Sequence, residues 1–105
     1  MTRFSRFAVY RNERDSRGGI PYLLDVQADW VNTGSRVVVP LIPARVYGPP
    51  VSRLNPLFDI DGVSHVLATG DIAAIDSNEL KRMVHDFSDH RQTIVAALDF
   101  LFQGY

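Results

Sequence analysis

Residues 36–42, Arg-Val-Val-Val-Pro-Leu-Ile, constrain the fold more than any other stretch of the chain. Three consecutive β-branched side chains suit a pleated, half-buried surface and disfavour a helix. Pro40 supplies no N–H to a ladder, so this strand is expected at a sheet edge, or bulged, at Pro40. Other short strand-like segments surround it. Phe4–Tyr10 carries Phe4, Phe7, Val9 and Tyr10 among polar residues, and Tyr22–Gln27 reads YLLDVQ. Asn32-Thr33-Gly34-Ser35 is a turn sequence, because Gly accepts positive φ and Asn bonds its own backbone. Phe58–Asp61 and Ser64–Thr69 flank Asp61-Gly62, the pattern of a hairpin with a two-residue turn. Ile72–Ile75 is a further apolar run. Asn12–Gly19 reads as a polar loop. Pro43–Pro56, with Pro43, Pro49, Pro50 and Pro56, reads as a connection without regular structure.

The end of the chain changes period. Ile94, Leu98 and Leu101 recur at helical spacing, Ser88 with Asp89 makes an N-cap and first turn, and Gly104 can close the helix. A helix is expected from about Ser88 to Phe102. On it Leu101, Ile94, Leu98, Phe102 and Val95 fall in about a third of the circle and form the expected core stripe. Gln92, Asp99 and Gln103 make a polar face. Thr93, Ala96, Ala97 and Phe100 form a third sector, suited either to a second part of the same sheet or to a subunit interface. The last residues, Gly104-Tyr105, place an aromatic ring on a glycine hinge. They make a contact tip, or else Tyr105 docks on its own domain. Five to seven short strands followed by one helix imply a mainly β fold with a C-terminal α-helix packed on a small, twisted sheet or barrel.

A chain of 105 residues, 46% apolar, is expected to form one domain with one core. Its 11 basic and 12 acidic residues give a net charge of -1. That balance argues against a protein that holds DNA or RNA unaided. Lys81 is the single lysine, and arginine suits directed bonds to carboxylates. With no cysteine, disulfides and thiolate metal sites are excluded. Met1–Arg6 lacks the apolar segment of a signal peptide, and no run approaches the ~20 apolar residues of a membrane span. A cytoplasmic protein is the expectation.

Catalytic patterns are poor. His85 and His90 are five apart, off the i, i+4 spacing that puts two ligands on one helix face. Ser64 and His65 are adjacent on a strand and point to opposite faces. Asp59, Asp61 and Asp71 read as a solvated hairpin rim. Gly18-Gly19 has no phosphate-loop context. No cofactor or metal is expected. Arg11, Arg14 and Arg17 in the first loop offer phosphate contacts, should the chain act on RNA.

Three segments together resemble the CcdB toxins. They are LLDVQADWVNTGSRVVVPL (Leu23–Leu41), VSRLNP (Val51–Pro56) followed by FDIDG (Phe58–Gly62), and AALDFLFQGY (Ala96–Tyr105). Their order and spacing cover almost the whole chain. The resemblance implies an SH3-like small barrel, the fold shared with Kid and MazF toxins, and a homodimer with both C-terminal ends near the two-fold axis. Phe100, Ala96, Ala97 and Thr93 would then lie at the dimer interface. It further implies binding to the DNA gyrase A subunit, trapping of the cleaved-DNA complex, neutralisation by a CcdA-like antitoxin, and joint repression of the operon with DNA contacted through the antitoxin. Gly104 matches the family's gyrase-binding tip. Gln103 stands where well-known members have tryptophan, and Tyr105 where they have isoleucine. A glutamine cannot stack on an arginine, and two lost cation–π contacts cost on the order of 1–4 kcal/mol. Phe102 and Asp99 match positions near that tip. Trp30, the single tryptophan, matches a position close to it, as a direct gyrase contact or as a core or dimer residue. The alternatives are a homologue that only binds antitoxin, and a MazF-like endoribonuclease.

Overall fold

The computed structural model describes residues 4–15 and 19–105. Seven strands are present there: β1 Ala8–Arg11, β2 Tyr22–Asp25, β3 Ser35–Pro43, β4 Leu57–Ile60, β5 Val63–Leu67, β6 Ala73–Asp76 and β7 Met83–Asp86. A one-turn helix, α1 (Ala44–Tyr47), follows β3, and α2 (Arg91–Gln103) ends the chain. The sheet runs β4-β5-β3-β2-β1-β7, with β6 also on β3, and every pairing is antiparallel. It curls into a half-barrel, as expected of a small SH3-like barrel.

β3 organises the sheet, and the expectation of an edge or bulge at Pro40 is corrected. β2 pairs along one side of β3 from Val38 to Leu41 without a register break. The other side changes partner, from β6 at Ser35–Val38 to β5 at Leu41–Pro43. Pro40 sits at that changeover. Its carbonyl accepts from the Ala68 N–H at 2.9 Å. N–H and C=O of one strand residue point to the same side. The missing donor of Pro40 therefore faces the gap between β6 and β5, where no ladder bond is lost.

Other boundaries moved for local reasons. The first strand starts at Ala8 because Phe7 holds a positive φ of 73°. That conformation is costly for a bulky residue. Here the Phe7 N–H donates to Asp25 O (2.6 Å), while the Phe7 carbonyl accepts from Phe87 N (2.8 Å). The proline-rich connection is not wholly irregular: it holds α1, and the buried Asn55 pins the rest by accepting from Val51 N (2.9 Å) and donating to Leu67 O (3.0 Å). β7 has no apolar alternation to announce it and pairs with β1 across a register shift. The Asp61-Gly62 turn is as expected, with φ of 53° and 82° at its two central residues.

α2 begins at Arg91, so Ser88 is not its N-cap. Ser88–His90 form a 3-10 turn in which the Asp86 carboxylate accepts from Ser88 N at 2.9 Å. The helix ends as expected. Gly104 adopts φ 80°, ψ 12°, and its N–H bonds Phe100 O at 2.9 Å. The helix packs Ile94, Ala97 and Leu98 against Phe7, Val9, Leu24, Val26, Val39, Leu41, Phe58, Ile60, Leu67 and Phe87. Its buried face is thus rotated by about 50° toward Ala97 relative to the expected stripe. On the opposite face of the sheet Ala8, Tyr10, Val38 and Leu80 form a smaller cluster.

Candidate functional site

Of the large apolar side chains exposed among the described residues, the aromatic ones, Trp30, Phe102 and Tyr105, fall on two surfaces. The first is the loop from β2 to β3. A buried ion pair stands at its base. Arg36 donates from Nε to Asp25 Oδ2 (2.9 Å) and from Nη2 to Asp25 Oδ1 (3.0 Å). The two residues are 1% and 0% exposed. Two charges buried this deeply are tolerable only with good geometry and further bonds. Arg36 makes those bonds to the loop itself, donating from Nη1 to Val31 O (3.1 Å) and from Nη2 to Gln27 O (3.0 Å). Burial pushes the Asp25 carboxyl above its ordinary range; the Arg36 hydrogen bonds and the Gln27 N–H pull it partly back. From outside, Arg6 holds the same loop through Nε to Val26 O (2.9 Å) and its N–H to Asp29 Oδ1 (2.6 Å).

What this scaffold presents is Trp30, 91% exposed, with Val31 exposed beside it. Trp30 is therefore not a core residue. Single exposed apolar residues are ordinary, but this is a tryptophan on a backbone fixed from both sides. Phe4, Ser5, Asp29 and Trp30 line a shallow depression there.

The second surface is the end of α2. Gln103, Gly104, Tyr105, Phe102 and Asp99 are all exposed and share one helix end. Phe102 is 70% exposed and Tyr105 72%. Phe102 thus lies off the core stripe where the helical spacing placed it, and Tyr105 does not dock on its own subunit. Of the sector Thr93, Ala96, Ala97 and Phe100, Ala97 is fully buried in its own core, which leaves the other three outside it. Thr93 and Ala96 are exposed. Phe100 is half-buried, with the Arg53 guanidinium 4.9 Å from its ring centre. The contacts of the Trp30 loop reach α2 at its other end: Arg6 and Arg91 lie 4.8 and 5.6 Å from the Phe7 ring.

Several side chains weighed for catalysis make other contacts. Arg14 pairs with Glu79, and Arg11 lies 6.0 Å over the Tyr22 ring. Arg17 lies outside the described residues, as does Gly18. The histidines join one aromatic cluster. His65 and His85 pack edgewise on Tyr22, at 5.3 and 6.5 Å, and His90 packs on Phe58 and Phe87. His65 Nδ1 bonds Val63 O at 2.8 Å, and His85 lies 3.7 Å from Asp61. Among the described residues no group of three or more His, Asp or Glu is arranged to hold a metal, and no helix is long and apolar enough to cross a membrane. Asp59 and Asp61 are exposed on the hairpin rim; Asp71 instead borders a groove of about 240 Å³ floored by Leu23, Val38 and Pro40.

The sequence reading missed the Asp25–Arg36 pair. Its signal was present: each charge interrupts an apolar strand, Asp25 between Leu24 and Val26 and Arg36 before three valines. A family model described as CcdB protein matches residues 6–104.

Proposed function

The chain belongs to the CcdB family of toxin–antitoxin toxins, and from that premise we propose that it acts by gripping the DNA gyrase A subunit rather than by catalysis. The observation that carries this reading is the paired display of exposed aromatic side chains, Trp30 on its fixed loop and Phe102 with Tyr105 at the end of α2. Exposed tryptophan and tyrosine are typical anchors of protein interfaces.

In this reading the protein is a cytoplasmic homodimer that joins through Thr93, Ala96 and Phe100. The tails of both copies, Asp99 to Tyr105, then lie near the two-fold axis and enter gyrase together. The bound toxin holds gyrase in the state in which DNA is cut and not resealed. A CcdA-like antitoxin relieves it and supplies the DNA contacts when the pair represses its operon, which suits a toxin of net charge -1. Gln103 favours a second reading, a homologue that binds antitoxin without poisoning gyrase, because an amide offers hydrogen bonds and no π face.

Inducing the protein in its host separates the readings. Gyrase-linked DNA breaks are expected, with RNA intact. Neither lesion would favour the antitoxin-only homologue, and cut RNA with intact DNA would favour a ribonuclease.

A further inference from the structure

We infer that Gln27 is the positioning residue of the Trp30 loop, the latch that sets the direction in which Trp30 and Val31 face a partner. The inference rests on the reading of that loop as a partner contact. Gln27 follows β2 where the loop begins, and its amide bonds one later point of the loop and two of the returning strand β3. Nε2 donates to Val31 O at 2.6 Å and to Ser35 O at 3.2 Å, and Oε1 accepts from Val37 N at 2.9 Å. One side chain thus ties the start of the loop to its middle and to the start of the returning strand β3 at Ser35 and Val37. Val31 O, the acceptor next to Trp30, receives Nη1 of Arg36 as well. The two donors fix that peptide from two directions.

The partners differ in what their loss would do. Asp25 and Arg36 are fully buried, so breaking their pair strikes the fold itself. Gln27 is half-buried and lies outside the core clusters. Its loss frees the loop and leaves the barrel standing. A loop already ordered pays less entropy on binding, which is how a fixed backbone strengthens a contact it does not make.

Two variants of the full chain test this. Gln27→Glu keeps the shape and the acceptor for Val37 N, and turns two donated bonds into oxygen–oxygen repulsions. Gln27→Leu keeps the bulk and removes all three bonds. Trp30 is the single tryptophan, so its time-resolved fluorescence anisotropy reads the loop without any partner. Both variants are expected to melt within about 10 °C of the parent, to lose anisotropy at Trp30, and to bind the gyrase A subunit roughly tenfold more weakly, because the freed loop must then be ordered on binding. Unchanged anisotropy in both variants would overturn the inference, as would a binding loss that merely follows a loss of fold. Trp30→Ala, measured alongside, separates the two levels. If it binds gyrase as well as the parent does, the partner reading of the loop fails, while the anisotropy still decides whether Gln27 holds it.

Discussion

The loop around Trp30 and the tail after α2 expose aromatic surface to a similar degree and by opposite means. In the loop the backbone is fixed by Arg36, Gln27 and Arg6, and the exposed ring is the product of that fixing. In the tail the last residues of the helix and the two after it are exposed. Past the helix's own bonds, the end is held by the capping bond from Gly104 N to Phe100 O. One surface is built in advance; the other is ordered only as far as its helix. An interface that needs orientation gains from the first, and one that must reach into a cleft gains from the second.

Substitutions can break this contrast in order of expected size. Asp25→Ala leaves a buried, unpaired guanidinium and should cost about 3–5 kcal/mol in urea unfolding. A cost below about 1 kcal/mol would mean the pair does not hold the loop base. Deleting Gly104-Tyr105 is expected to abolish growth inhibition while lowering stability by no more than about 1 kcal/mol, since the removed residues are exposed and only the capping bond is lost. Killing by the truncated chain would remove the tail from the mechanism. Gly104→Ala puts a Cβ at φ 80° and should cost about 1 kcal/mol, fraying the last turn and weakening gyrase binding without touching the Trp30 loop. Amide exchange confined to residues 100–104 would show it.

The smallest effect is one of pH. Tyr10 lies beneath the loop base, and burial first, then the Asp25 charge, raises its phenol above the ordinary value of 10.0, with Arg36 opposing. The unfolded chain therefore loses this proton before the folded one does. Stability from Tyr10 is complete below pH 10 and falls as pH rises through the folded value. Urea midpoints from pH 8 to 11 should decline more for the parent than for Tyr10→Phe. Parallel curves would show that burial and the Asp25 charge do not raise the Tyr10 phenol.

Much of this was legible in the chain. The β-branched run, the Asp-Gly hairpin and the Gly104 stop are local signals, and each appears where expected. The misreadings at Pro40, Phe102 and the Asp25–Arg36 pair share a cause, which is that the deciding partner is distant in sequence. Pro40 looks like an edge signal until β6 and β5 are seen to exchange beside it. Phe102 has helical spacing for the core, yet the helix packs with its buried face rotated toward Ala97, which leaves the Phe102 ring exposed. The Asp25–Arg36 pair bridges two strands and becomes a loop anchor only when they adjoin. For Tyr105 the sequence left a contact tip and docking on its own domain both open, and the structure leaves the ring exposed.

The most direct measurement is a cleavage and supercoiling assay with purified gyrase from the host, titrated with the parent protein, Trp30→Ala and the chain lacking Gly104-Tyr105. The account expects cleaved DNA to accumulate and supercoiling to fall with the parent, and both effects to be lost or strongly reduced with either variant. A parent protein that leaves gyrase untouched at micromolar concentration, or variants that match it, would contradict the account.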